Sequence, residues 1–125
     1  MIRQTYKEGG GFEEAAAYSR AVRIGPYVAV SGTAARDGGD AYAQTAEALR
    51  RALAAAAELG AGPENVLRTR LLLAPGCDWE GAVRAHREAF AGVDPANTTY
   101  FVSGFIPEGA LVEVELDAVI PDPPR

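Results

Sequence analysis

The chain has 125 residues, the length of one compact domain, and carries a formal net charge of −5. Its acidic balance and single lysine argue against binding to nucleic-acid phosphates, which basic surfaces hold. The apolar runs are too short to span a membrane, and residues 1–11 lack the apolar stretch of a secretory signal. One cysteine, Cys77, excludes an internal disulfide and suits a reducing compartment. We therefore expect one cytoplasmic domain over residues 1–125, with neither nucleic-acid nor membrane partners.

Two short strands, residues 20–24 and 27–31, are the first elements that the sequence predicts. Gly25 and Pro26 lie between them and are typical of a turn, so the two strands are expected to form a hairpin. The glycines at 9–11 before this hairpin predict a turn or loop.

A helix is predicted over residues 40–59, with Asp40 as its N-cap and Gly60 just beyond its end. Its apolar positions are spaced by threes and fours, which is typical of a helix that packs one face on a core. These positions are Tyr42, Ala46, Leu49, Leu53 and Ala56. The polar positions expected to face water are Gln44, Glu47, Arg50, Arg51 and Glu58.

The second half of the chain predicts a strand at 66–73, a helix that begins after Asp78, and strands at 98–105 and 110–120. The apolar stripe of this helix consists of Trp79, Val83, His86 and Phe90. Prolines at 121, 123 and 124 are expected to end the last strand, because proline cannot donate into a strand ladder. The order of elements predicts an α+β domain with two helices on one face of a largely antiparallel sheet.

The last strand alternates apolar and acidic residues. Val112, Val114, Leu116 and Ala118 are predicted to point toward the helices, and Glu113, Glu115 and Asp117 to point away from them. On strand 66–73, Arg68 and Arg70 share the face of the acids. This face either carries solvated cross-strand ion pairs or packs against copies of the same chain, with the acids paired to the two arginines. The pattern alone leaves both alternatives open.

Several segments together resemble the Rid family, the reactive intermediate deaminases, also called the YjgF family. The resemblance covers nearly the whole chain. It rests on YSRAVRIG at 18–25, YVAVSG at 27–32, the helix at 40–60, VLRTR at 66–70, EAF at 88–90, PA at 95–96 and LVEVE at 111–115. It implies a chorismate-mutase-like α+β fold, a homotrimer, and three small-molecule clefts between neighbouring subunits. It also implies hydrolysis of a reactive enamine or imine to a 2-keto acid and ammonia, without a metal or organic cofactor.

One departure from the family pattern concerns the substrate anchor. In deaminating relatives, an arginine two residues after a proline grips the substrate carboxylate with its planar fork. Here the corresponding segment begins at Pro95, and Asn97 takes the place of that arginine. A lost charge-assisted hydrogen bond is worth roughly 1.5–3 kcal/mol. This departure counts against deaminase activity on amino-acid-derived imines and predicts an altered substrate.

The resemblance implies catalytic roles for Glu113, which would position water, and for Tyr18, which would overhang the cleft. Ser31 and Gly32 would offer backbone groups to the ligand. Each assignment has a structural alternative. Glu113 could pair with an arginine on its sheet face, Tyr18 could be an ordinary hairpin aromatic, and the Ser31–Gly32 step could be a simple turn.

Further substrate-binding residues are implied along the second helix and the following strand. They are Arg84, Phe90, Thr99 and Phe101, together with Asn97. Arg84 could supply an anion-binding group from another direction, or it could face solvent. His86 could act as a general base, or it could be a hydrogen-bonded histidine of the apolar stripe. It has no second His or Cys at ligand spacing, so no metal site is expected.

Three functions remain open at this point. The first is a Rid-like hydrolase that acts on an imine without the usual carboxylate. The second is a non-catalytic homotrimer that binds a metabolite in the same cleft. The third is a ribonuclease or translation inhibitor, a label often attached to relatives, against which the acidic charge argues.

Overall fold

The computed structural model describes residues 1–106 and 108–122, which form one mixed sheet with helices packed on it. In chain order the elements are β1 (Arg3–Tyr6), α1 (Gly11–Ala16), β2 (Ala21–Ile24), β3 (Tyr27–Ala34), α2 (Ala41–Glu58), a 3-10 turn (Pro63–Asn65), β4 (Val66–Leu73), α3 (Trp79–Phe90), β5 (Ala96–Phe101) and β6 (Val112–Val119). Pro123 and Pro124, which we expected to help end the last strand, lie outside the described residues.

The six strands of the described region are ordered β1-β2-β3-β6-β4-β5. Neighbouring strands are antiparallel except β4 and β5, which are parallel because α3 crosses over between them. α2 packs on β3 and β6 and against α3. The predicted α+β class is confirmed, with the two long helices and the core on one face of the sheet.

β6 confirms the alternation seen in the sequence. Val112, Val114, Leu116 and Ala118 are buried beneath the helices, whereas the three acids between them are half-buried on the opposite, open face. The strand lies between β3 and β4 in the middle of the sheet. Each side chain of β6 is therefore placed by pairing on both sides, which makes its register well determined.

α2 has the predicted ends but a different buried face. The Asp40 carboxylate accepts the N–H of Ala43 at 2.8 Å, and Gly60 has φ +97°, the left-handed conformation that favours glycine after a helix. The prediction that Gln44 faces water is wrong: its side chain is buried, donating to the Gly39 carbonyl and accepting from the N–H of Leu111. Alanines form most of the buried face and let the helix lie close to the sheet.

α3 begins after Asp78 as predicted, but its apolar stripe is only partly buried. The buried face is Gly81, Ala82, Ala85 and Phe90. Trp79 is 51% exposed and Val83 is 38% exposed, in contrast to the expectation. The reason is the close approach of α3 to α2, which small residues permit: a Cβ on Gly81 would lie 3.4 Å from Cβ of Tyr42. The two large side chains are left beside the edge strand β5.

The N-terminal segment contains two elements that the sequence did not predict. β1 pairs with β2, and α1 starts at Gly11, within the stretch expected to be a loop. The carboxylate of Glu13 is buried and accepts three backbone N–H groups, from Glu8, Gly9 and Gly10, at 2.8–3.2 Å. This single side chain organises the turn that precedes α1.

The open face of the sheet carries one cluster of ion pairs. Arg70 contacts Glu115 at 3.5 Å and Asp117 at 3.4 Å. Arg68 instead donates to the hydroxyl of Thr98 at 3.3 Å. The expected pairing of acids with arginines is therefore confirmed for Arg70 and wrong for Arg68.

Candidate functional site

A cavity of about 590 Å³ lies where β3 leaves its regular pairing with β6. Four residues that the sequence analysis selected line it: Tyr18, Ser31, Gly32 and Glu113. We call this the Glu113 cavity. The register between β3 and β6 shifts between Val30 and Thr33, which produces a bulge at Ser31 and Gly32 and points this stretch toward the cavity.

Glu113 lies directly over Gly32. An ideal Cβ on Gly32 would be 2.6 Å from Oε1 of Glu113, so only glycine leaves room for the carboxylate there. Burial raises the pKa of the Glu113 carboxyl, nearby Arg20 opposes this rise, and Glu115 adds to it. None of the ion pairs within residues 1–106 and 108–122 involves Glu113.

The bulge is held by Arg20, a residue that the sequence analysis did not select. Its Nη2 donates to the carbonyls of Ser31 and Gly32, at 3.3 and 2.8 Å, and to the hydroxyl of Thr33 at 2.7 Å. The Ser31 hydroxyl donates to the carbonyl of Ser19 at 2.6 Å. These bonds keep the backbone beneath Glu113 in one conformation.

A second arginine of the cavity, Arg51 on α2, was also missed. Nε of Arg20 and Nη2 of Arg51 lie 3.4 and 3.2 Å from the same oxygen of Glu8, and Arg36 binds the other oxygen at 2.6 Å. Arg51 also donates to the carbonyl of Ala34. The guanidinium groups near Glu113 are thus largely occupied by the protein itself. No sequence pattern signalled this cluster, because it joins the N-terminal segment to α2.

A groove of about 390 Å³ between α3 and the edge strand β5 holds three more of the selected residues: Asn97, Thr99 and Phe101. We call it the Asn97 groove. Trp79 and Val83 form its apolar wall, the two side chains that the approach of α3 to α2 leaves outside the core.

Asn97 is held from two sides. Its Nδ2 donates to Oγ1 of Thr69 at 3.1 Å, and its Oδ1 accepts the hydroxyl of Thr99 at 2.8 Å. Oγ1 of Thr69 also lies 2.7 Å from Nε2 of His86. The alternation of β5 predicted that Asn97, Thr99 and Phe101 share a face. The link to Thr69 was not predicted, because it depends on the parallel pairing of β4 with β5.

Comparison with known proteins decides the family. The model of the family described as endoribonuclease L-PSP matches residues 11–120. The chain belongs to this family, which is also called YjgF or Rid. SCO2049, an uncharacterized protein of Streptomyces coelicolor, is 42% identical over 118 residues, covering 90% of this chain and 88% of that protein.

Two solved structures place the fold in the same family. Rv2704 of Mycobacterium tuberculosis, a member of the YjgF/YER057c/UK114 family, has a TM-score of 0.90 and 40% identity and covers 95% of this chain and 100% of its own. NMB1025 of Neisseria meningitidis, a YjgF family member, has a TM-score of 0.81 and 26% identity over 98% of both chains. The resemblance found in the sequence is therefore confirmed.

Two of the residues selected by likeness to the Rid family lie outside both sites. Phe90 is a fully buried core residue whose ring lies 4.9 Å from that of His86. Arg84 stacks on the ring of Tyr42, with 4.2 Å between its guanidinium carbon and the ring centroid, on the surface where α2 meets α3. Cys77 lines neither site, and burial raises the pKa of its thiol.

The described part of the chain offers no group of three or more His, Cys, Asp or Glu side chains suited to a metal ion. It also contains no helix long and apolar enough to cross a membrane. The two sites offer carboxyls, phenols, hydroxyls and an amide, besides the guanidinium groups of Arg20 and Arg51, which bind Glu8 and backbone carbonyls. Such groups suit proton transfer to a small molecule and its positioning.

Proposed function

We propose that this member of the Rid family is a small-molecule hydrolase that acts on a neutral imine or enamine, in clefts between the subunits of a homotrimer. The observation that carries the proposal is the Glu113 carboxyl, half-buried over Gly32 at a β-bulge, outside the ion pairs of the open face and with a raised pKa. A carboxyl in such a setting exchanges protons near neutral pH more readily than a solvated one.

The proposed trimer joins the two sites. The Glu113 cavity opens near the middle of the sheet and the Asn97 groove lies at its β5 edge, so a single chain presents two half-sites. In the trimer, the groove of one subunit faces the cavity of the next. The open sheet face supports this assembly, because Leu67 and Tyr27 are 60% and 61% exposed in the single chain and would be covered by the neighbours.

The proposed reaction needs one water and two proton transfers through Glu113. Glu113, ionised, accepts a proton from the water as its oxygen bonds to the C=N carbon, and it then gives this proton to the nitrogen, which yields a carbinolamine. The carboxylate next takes the hydroxyl proton of the carbinolamine and delivers it to the nitrogen as the C=O bond forms and the C–N bond breaks. The products are a carbonyl compound and ammonia or an amine. Tyr18, at the mouth of the same cavity, orients the substrate.

Asn97 sets the proposed substrate class. A side-chain amide carries no charge to balance a carboxylate, so a carboxylate held at Asn97 would lack a counter-charge from this residue. The substrate is therefore an imine or enamine without a carboxylate on the side that faces Asn97.

The test is Glu113→Gln, assayed on a panel of imines generated in situ, with and without a carboxylate. We expect hydrolysis of neutral imines by the wild type and loss of turnover in the variant, with the molar mass of the assembly unchanged. Glu58→Gln, on the exposed end of α2, is the control for charge. Full turnover by Glu113→Gln would refute the role of this carboxyl.

A second candidate is a metabolite-binding trimer without catalysis, favoured by the absence of the anchoring arginine at Asn97. It predicts ligand-dependent thermal stabilisation with no turnover across the same panel. Ribonuclease activity, which the family's description as endoribonuclease L-PSP suggests, is disfavoured by the net charge of −5. Nuclease activity that co-purifies with the trimer and is lost on mutation of the cleft would overturn this ranking.

A further inference from the structure

The side chains behind Asn97 form a continuous hydrogen-bonded chain from α3 to β5. It runs from His86 through Thr69 and Asn97 to Thr99, with successive distances of 2.7, 3.1 and 2.8 Å. Thr69 is 0% exposed, so water does not substitute for either partner of its hydroxyl. The orientation of each group in the chain therefore constrains the next one.

The number of hydrogens available determines which group donates in each of these hydrogen bonds. The Thr69 hydroxyl accepts an N–H from Asn97 and has a single hydrogen of its own, which is left to donate to Nε2 of His86. His86 must then be neutral, with its hydrogen on Nδ1. Burial lowers the pKa of His86, which favours the neutral ring. The other tautomer, with hydrogen on Nε2, would turn the Thr69 hydroxyl toward Asn97 and reverse the amide.

In the observed orientation Asn97 has two hydrogen-bonding positions left for a ligand. One is the second hydrogen of Nδ2, since the first goes to Thr69, and the other is a lone pair of Oδ1, since Thr99 uses the first. A ligand group with one acceptor and one donor side by side satisfies both. A carboxylate offers only acceptors, so it would leave the Oδ1 lone pair facing negative charge.

We propose that the donor and the acceptor of the Asn97 amide make the Asn97 groove selective for a carboxamide or lactam over a carboxylate, and that Thr69 and His86 are positioning residues that hold this amide with Nδ2 toward Thr69. The inference rests on the proposed function in taking this groove as part of the ligand site. It adds to that function a chemical class for the group that meets Asn97 and two residues that orient the Asn97 amide.

The first test determines which ring nitrogen of His86 carries the hydrogen. His86 is the single histidine of the chain, so long-range ¹H–¹⁵N spectra of uniformly ¹⁵N-labelled protein report on one imidazole. At pH 7.5 we expect hydrogen on Nδ1 and an unprotonated Nε2. A ring that carries its hydrogen on Nε2 would overturn the proposal, because it implies the reversed amide.

The second test uses propionamide and propionate, which have nearly the same shape. Asn97 and Asn65 are the only asparagines, so the Asn97 side-chain NH₂ signals are readily assigned and followed during titration. We expect propionamide to bind about tenfold more tightly than propionate, the factor that corresponds to one hydrogen bond. Equal affinities, tighter binding of propionate, or no shift with either probe would overturn the selectivity.

The variant Thr69→Val keeps the buried volume and removes the hydroxyl. It should change the tautomer populations of His86 and weaken the binding of propionamide, because an amide that is free to turn must be ordered by the ligand. Thr45→Val is the matched control: Thr45 is equally buried, but its hydroxyl donates to the Ala41 carbonyl within α2. An unchanged tautomer of His86 and an unchanged affinity for propionamide in Thr69→Val would refute the positioning role. The tautomer of His86 and the binding of the two probes are measured without any enzymatic turnover. A negative hydrolase assay would therefore refute the proposed function without deciding the role of Thr69 and His86.

Discussion

The Oε1 atom of Glu113 lies 2.6 Å from the position where residue 32 would place a Cβ, and residue 32 is glycine. The contact couples two features that are distant in sequence: the bulge at the end of β3 and the first acid of β6. Because the φ of Gly32 lies outside the left-handed region, the glycine is required here for space and not for backbone conformation.

Gly32→Ala should therefore displace the Glu113 carboxylate while the fold persists. The atom in the way is the end of a flexible side chain, so the backbone need not move. A misplacement of about 1 Å at a reacting group can cost on the order of 100-fold in rate, and we expect kcat/KM for a neutral imine to fall by about that factor. Gly104→Ala, where a Cβ meets nothing within 4 Å, is the control. Equal kcat/KM in both variants would show that the contact is irrelevant to activity.

The raised pKa of Glu113 has a consequence for stability. The folded protein binds the proton of the Glu113 carboxyl more tightly than the unfolded chain does. Protonation of Glu113 therefore contributes fully to the free energy of unfolding below the ordinary pKa of about 4.5. This contribution is lost as the pH rises through the pKa of Glu113 in the folded protein. Near pH 7 the ionised carboxyl should cost stability. Glu113→Gln should then raise Tm at pH 7.5 and raise it less at pH 4. A variant that is destabilised at pH 7.5 in thermal unfolding would contradict this assignment.

The sequence predicted the centre of the fold better than its margins. β6 was predicted well because a central strand with one buried face alternates strictly, and the bounds of β4 were predicted from its apolar run. α2 was predicted because Asp40 and Gly60 mark both of its ends. β1 was missed because an edge strand with one neighbour needs no apolar face. α1 was missed because it has only six residues and depends on the buried Glu13.

The candidate site was predicted where it follows one strand and missed where it joins several. Asn97 and Thr99 lie two positions apart on β5, so their shared face could be read from the sequence. Arg20 and Thr69 act through partners on other strands, and their positions depend on sheet register. Leu67 is exposed, because a register shift between Val66 and Arg68 makes it the extra residue of a bulge, which strict alternation along the strand does not predict.

Arg70 provides a test of the open face. It lies between Glu115 and Asp117, so Arg70→Glu places three carboxylates together on a surface that the proposed trimer buries. Repulsion without solvent to screen it should dissociate the assembly, while an isolated chain tolerates the change. Arg50→Glu, on the exposed side of α2, should leave the assembly intact. Sedimentation velocity that shows the same species for both variants would argue that the open face is not the interface.

Asn97→Arg tests whether the missing anchor limits the reaction. The guanidinium restores a bidentate contact for a carboxylate, so hydrolysis of 2-aminoacrylate generated in situ should appear in the variant and be at least about tenfold slower in the wild type. Asn65→Arg, at the 3-10 turn, controls for added charge. Equal rates for wild type and Asn97→Arg would show that the residue at this position does not select the substrate.

The central claim is that the ligand site is completed by a second copy of the chain. Multi-angle light scattering on the purified wild type tests it most directly, without knowledge of the substrate. We predict one species of about 39 kDa, three times the chain mass of 13.1 kDa, at micromolar protein concentration. A stable monomer of 13.1 kDa would leave the Glu113 cavity and the Asn97 groove apart and would contradict the account.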